Sequence, residues 1–80
     1  MSTSTLERLT QVFRDVFEED DLVLTRATTA RDIPAWDSVM HVTLMISAER
    51  AFKLRFRSGE VAGLKNVGEL VDLIDRRLSA

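Results

Sequence analysis

Leu6, Leu9, Phe13, Val16 and Phe17 stand three and four residues apart, a spacing that makes one face of a helix apolar, while Glu7, Arg8, Gln11, Arg14 and Asp15 fall mostly off it. A chain that begins this way must bury that stripe against other elements. Ser4-Thr5-Leu6-Glu7 has the pattern of a capping box, in which the serine hydroxyl accepts the third helical N–H and the glutamate reaches back to the cap. The spacing predicts a helix over about residues 5–18. A second pattern of this kind closes the chain: Asn66-Val67-Gly68-Glu69 pairs a capping residue with an acid, and Leu70, Val71, Ile74 and Leu78 follow at helical spacing. That helix is expected to run to about Leu78.

From Glu19 to Trp36 the periodicity fades, and Thr25, Thr28, Thr29, Asp32 and Pro34 suit a long connection. Leu22, Leu24, Ile33 and Trp36 are costly to leave in water, at roughly 25 cal/mol per Å² of apolar surface, so this loop is expected to lie across the bundle. A second helix should begin at Asp37-Ser38, where either side chain can cap the free N–H groups. Val39, Val42, Ile46 and Phe52, with Met45 beside them, are read as its core stripe, and Met40 and Leu44 widen the apolar surface for a neighbouring helix or a partner. Leu54-Arg55-Phe56-Arg57 alternates like a strand but has no pairing mate, so it is taken as an extended connection with Leu54 and Phe56 inward. Ser58-Gly59-Glu60 then opens a short helix carrying Val61 and Leu64. The chain is therefore expected to be all-α: a four-helix bundle of three long helices and one short, with a long loop between the first two.

The length of 80 residues suits one domain spanning residues 1–80 and a core worth only about 3–5 kcal/mol. No apolar run reaches the roughly 18 residues needed to span a bilayer, and Met1-Ser2-Thr3-Ser4-Thr5 lacks the basic and apolar regions of a signal peptide, so no membrane and a cytoplasmic location are expected. The absence of cysteine leaves no disulfide, no thiolate nucleophile and no sulfur-based metal site. Any thiol chemistry must use an imported thiol. A net charge of -2 and no basic recognition helix argue against nucleic acid as a partner. The charge is uneven, with Glu18-Glu19-Asp20-Asp21 forming an acidic block and Arg50, Lys53, Arg55 and Arg57 a basic stretch.

The reactive feature is Asp37-Ser38-Val39, a serine at the mouth of a helix after a long loop. Taken with Ile33-Pro34-Ala35-Trp36, with Ala48-Glu49-Arg50-Ala51-Phe52-Lys53-Leu54-Arg55-Phe56 and with Asn66-Val67-Gly68-Glu69-Leu70, it resembles the acyl carrier protein family over nearly the whole chain. In that family an Asp-Ser-Leu motif opens the second helix, a Glu and a Phe close it, and a Thr-Val-Gly-Asp-Leu-like segment opens the last. Ala35 stands where many members have Gly, Val39 where most have Leu, and Lys53 where a Gly often ends the second helix. The lysine suggests a different helix ending.

The resemblance implies that a phosphopantetheinyl transferase moves 4'-phosphopantetheine from coenzyme A onto the Ser38 hydroxyl. The thiol of that arm then carries acyl groups as thioesters between acyl-loading and acyl-accepting enzymes. It implies a monomeric carrier, not an enzyme, of a fatty-acid, polyketide-like or acyl-modification pathway. Asp37 either helps align Ser38 or the transferase's metal, or simply caps the helix. Trp36, Val39, Met40, His41, Thr43 and Arg50 are the candidate partner-docking residues; Met40, Thr43 and Arg50 stand where acids are frequent in the family, which points to dedicated partners. Trp36 is expected to be half-buried with its N–H end open to solvent or partner, and His41 to be solvated or partner-facing. A Ser38–His41 hydrolase pair lacks the Gly-x-Ser-x-Gly elbow. The alternatives are an aminoacyl or peptidyl carrier of the same fold, which usually shows Gly-Gly-His-Ser, and an unmodified helical interaction module.

Overall fold

The structure, a computed structural model, describes residues 2–79 and consists of four helices, α1 (Ser2–Phe17), α2 (Ser38–Phe52), α3 (Ser58–Ala62) and α4 (Val67–Ser79). Helix α1 starts earlier than the Ser4 pattern predicts, and the Ser4 side chain lies outside the described part of the structure. Helix α1 is the hub, since its extended contacts are with α2 and α4. Its Leu9 and Phe13 are wholly enclosed, and Val12, which the stripe omits, is buried with them. The Thr5 hydroxyl, also buried, donates to the Asp75 carboxylate and fixes α1 against α4. No described helix is long and apolar enough to cross a membrane.

Helix α2 carries two apolar stripes; of the residues expected inside, Met45 and Phe52 are buried and Val39, Val42 and Ile46 are not. Val39, Val42 and Ile46 are 73%, 59% and 47% exposed, whereas Leu44, Met45, Ala48 and Phe52 form the buried face. With His41 the inward set reads 41, 44, 45, 48 and 52, which is the spacing of one helix face. The polar His41 conceals the start of this face, so the all-apolar series a few residues out of phase looks like the better stripe. The helix ends at Lys53 in the left-handed region, φ 55° and ψ 50°, where its N–H and that of Leu54 both reach the Glu49 carbonyl. The glycine-type ending is thus retained without a glycine. Arg8 donates to the Ala51 carbonyl (2.7 Å), an end group with no helical partner, and lies 4.3 Å over the Phe52 ring.

The long loop is pinned at several points. Leu24 and Ile33 reach the core, with Leu22 and Trp36 packed at its edge. The Arg14 guanidinium donates to the Leu22 carbonyl (2.8 Å), and Thr25 and Thr28 close a tight turn, the Thr25 N–H meeting the Thr28 hydroxyl at 2.9 Å. Beyond that turn the loop caps the last helix. The Val67 N–H donates to the Thr28 carbonyl and the Gly68 N–H to the Arg26 carbonyl, each at 2.8 Å, while the Asn66 side chain takes the Glu69 N–H at 2.9 Å. Three N–H groups that the helix cannot satisfy are thereby paired. A Cβ on Gly68 would lie 2.9 Å from the Arg26 carbonyl oxygen, so the close approach requires glycine here. Helix α4 buries Val67, Leu70, Val71, Leu73 and Ile74; Leu78, expected in this stripe, is 47% exposed.

The link after α2 is extended, as the sequence suggests, with Leu54 and Phe56 partly buried against the core. Glu49 accepts the Phe56 N–H (2.8 Å) and directs the chain into α3. That helix is five residues long and stops at Ala62, so Leu64 packs from the following connection rather than from the helix itself. Glu60 accepts the Arg57 N–H (2.9 Å) and pairs with Arg77 of α4. The Arg77 bond foremost, and the Arg57 N–H after it, hold the Glu60 carboxyl below the ordinary carboxylate range.

Candidate functional site

The site is assembled where the loop turns into α2. Pro34 occupies the second position of a turn closed by the Trp36 N–H on the Ile33 carbonyl (2.9 Å), a position its fixed φ suits, and buried Ile33 anchors the turn from below. Asp37 follows with an extended backbone, φ −110° and ψ −171°, and its Oδ1 accepts the Met40 N–H at 2.9 Å. Asp37 is therefore the N-cap, and Ser38 is the first helical residue. The capping role open to Asp37 is the one the geometry displays.

This division of labour leaves Ser38 free. Its side chain is exposed, and among the described residues its hydroxyl has no protein hydrogen-bond partner. It opens onto a groove of about 450 Å³ lined by Ala30, Trp36, Asp37, Ser38, His41, Ala62 and Leu64. The groove thus draws on the loop, α2, α3 and the link behind α3. The first N–H groups of α2 and the helix dipole favour an anion attached at this end. A nucleophilic oxygen beside a shallow channel, at a positively polarised helix end, suits a phosphodiester with a long substituent.

Trp36 and His41 are placed differently from the sequence expectation. The indole packs edge-on to Phe13, with centroids 5.2 Å apart, and its Nε1–H points to His41 Nδ1 at 3.0 Å rather than to solvent. The imidazole lies nearly parallel to the indole, 13° between planes, with Nε2 3.0 Å from the Val61 carbonyl oxygen. His41 is thus an internal bridge from the loop through α2 to α3, a role that a lone histidine between apolar neighbours did not signal in the sequence. With both ring nitrogens engaged elsewhere, it is not the partner of a Ser38 nucleophile.

The remaining candidates form an outer face on α2. Val39, Thr43 and Arg50 are exposed, Met40 is half-buried, and Val42 and Ile46, read from sequence as core, complete the face. At the far end of the helix, roughly 20 Å from Ser38 at 1.5 Å per residue, a groove of about 540 Å³ is lined by Ile46, Glu49, Arg50, Lys53, Leu54 and Arg55. Arg50, Lys53 and Arg55 are exposed and, among the described residues, make no ion pair; Arg57 lies in the field of Glu60. This larger groove offers cations and the Glu49 carboxylate but no hydroxyl, and the candidate nucleophile Ser38 lies at the other end of α2.

No protein-family model and no curated protein matches the chain. Among solved structures, the solution NMR structure of a holo acyl carrier protein from Geobacter metallireducens matches 94% of this chain and 86% of its own, at 52% sequence identity and a TM-score of 0.88. Identity of that extent, over a shared helical frame, makes this chain a member of the acyl carrier protein family.

Proposed function

We propose that the span 1–80 acts as one carrier unit on which Ser38 bears 4'-phosphopantetheine, donated from coenzyme A by a phosphopantetheinyl transferase. The observation that carries this reading is the uncommitted Ser38 hydroxyl, exposed at the first turn of α2 while Asp37 does the capping. When attached, the group supplies a thiol that holds acyl cargo as a thioester, a function for which this cysteine-free chain has no side chain of its own. The Ser38 oxygen forms the bond to phosphorus and loses its proton to the transferase, and adenosine 3',5'-bisphosphate leaves. The helix start then faces the phosphodiester charge. The holo form of the Geobacter metallireducens relative supports the same assignment here.

Partner enzymes dock on the outer face of α2, made by Val39, Met40, Val42, Thr43, Ile46 and Arg50. An exposed apolar strip beside unpaired cations fits acyl-handling enzymes whose docking surface is acidic or apolar, and thus a dedicated polyketide-like or acyl-modification system. Trp36 and His41 are left out of this face because their polar groups turn inward. The carrier itself supplies position and a nucleophile, and its partners carry out the acyl chemistry.

Intact-mass measurement after incubation with coenzyme A and a broad-specificity transferase tests the attachment. Wild type should gain one phosphopantetheinyl group, and Ser38→Ala none, with both variants folded by circular dichroism. Wild type left unmodified beside a loaded control carrier would overturn the proposal, and modification of Ser38→Ala would move the site elsewhere.

A further inference from the structure

An indole N–H can only donate. Since Trp36 Nε1 lies 3.0 Å from His41 Nδ1, that ring nitrogen must be the acceptor and carry no proton. The imidazole proton is then on Nε2, which donates to the Val61 carbonyl 3.0 Å away. Both bonds exist together only in the neutral ring with its hydrogen on Nε2. A second proton would put an N–H on Nδ1 facing the N–H of Trp36, and two opposed donors cannot bond.

The two bonds act at a weakly supported place. Helix α3 has five residues and falls outside the main helix contacts of α1 with α2 and α4, so it is held by side chains. Glu60 with Arg77 ties one side of it, and His41 on the Val61 carbonyl ties the other. Trp36 lines the Ser38 groove from the loop, and Ala62, next to Val61, lines it from α3. His41 bonds to Trp36 on the one element and to Val61 on the other.

We infer that His41 is a positioning residue for Ser38: through Trp36 and Val61 it holds the loop side and the α3 side of the groove onto which the serine opens. The inference rests on Ser38 as the attachment residue. It differs from docking, because His41 acts through the two groups it joins. The charged groups around it are few. Asp37 lines the same groove with Oδ1 on the Met40 N–H; on α3, Glu60 is held by Arg77 and the Arg57 N–H; the loop brings Ala30 and Trp36 to the groove, with Arg31 and Asp32 exposed beside them. Helix α1 meets the indole through Phe13.

The chain has one tryptophan and one histidine, so each reports on the other without ambiguity. The test follows the Trp36 indole N–H resonance and the imidazole nitrogen resonances of the unmodified protein. It also measures the transferase kcat/KM for wild type, His41→Phe and His41→Gln. In wild type the indole N–H should be protected from exchange, and the imidazole should show the tautomer with its hydrogen on Nε2. His41→Phe, which keeps a ring but loses both bonds, should show faster indole exchange, with transferase efficiency reduced roughly threefold to tenfold, the size expected from losing one or two net hydrogen bonds. His41→Gln offers one acceptor and one donor, so it should restore much of the efficiency and of the indole protection. Indole exchange as fast in wild type as in folded His41→Phe, or full transferase efficiency in folded His41→Phe, overturns the inference. Absence of modification in every variant, wild type included, overturns Ser38 attachment and the positioning role with it, while the indole exchange still reports on the hydrogen bonds separately.

Discussion

Lys53 holds a left-handed backbone, φ 55°, at the end of α2, and Glu18 does the same after α1. A Cβ in that region costs about 1–2 kcal/mol, which glycine avoids at the expense of a more flexible unfolded chain. Lys53→Gly should therefore stabilise the protein by about 0.5–1 kcal/mol. Urea unfolding checks this: the midpoint should rise with no change in slope, and an unchanged or lower midpoint would mean that the lysine side chain contributes contacts equal to the strain. The same substitution removes one cation from the groove at that end of α2, so stability and partner binding should move in opposite directions. A natural lysine at a strained position is consistent with its charge being used.

At the scale of elements, the first loop and the last helix behave as one unit, since the carbonyls of Arg26 and Thr28 complete the start of α4. The exposed Arg26–Asp72 pair (2.9 Å) lies across the same junction and adds little by itself. Gly68→Ala should cost about 1–3 kcal/mol, because the new methyl meets a backbone oxygen that cannot rotate away, and the usual helical gain of alanine does not offset the clash. Thermal unfolding should show a Tm lower by at least 4 °C, given the roughly 4–8 °C per kcal/mol of domains this size; an equal or higher Tm would show that the loop yields freely. Helices α1 and α4 were legible because each presents one apolar stripe, and the four-element order followed from them with the cap patterns. Helix α2 was legible as a helix but not in its rotation, because Val39, Val42 and Ile46 compete with Leu44, Met45 and Ala48, and only tertiary packing chooses. The loop carbonyls that cap α4 could not be read either, since backbone acceptors leave no mark on the sequence. Asp37 and Ser38 were legible as a helix start, and a reactive role for Ser38 only through the family resemblance, whereas the Trp36–His41–Val61 bridge needed the folded structure.

The whole molecule is slightly acidic, yet Arg50, Lys53 and Arg55 share one groove with Ile46 of the exposed strip of α2. If that face selects partners, Met40→Asp, Thr43→Glu and Arg50→Glu combined should turn the carrier towards condensing enzymes that read acidic carriers. Turnover of the loaded triple variant by a fatty-acid condensing enzyme should rise on the order of tenfold at low salt and lose that gain as salt is added, while the reaction with its own partners falls. Circular dichroism should find the helices retained, with most of the cost at half-buried Met40. Equal turnover of the two folded carriers would remove partner choice from these residues. One feature of the site also bears on the molecule as a whole. Because Asp37 satisfies the helix end and the Ser38 hydroxyl takes part in no internal bond, esterifying that oxygen breaks nothing that maintains the fold. With the arm attached there as proposed, loading needs no refolding step, and the phosphodiester charge that then faces the start of α2 adds to the stability of the bundle.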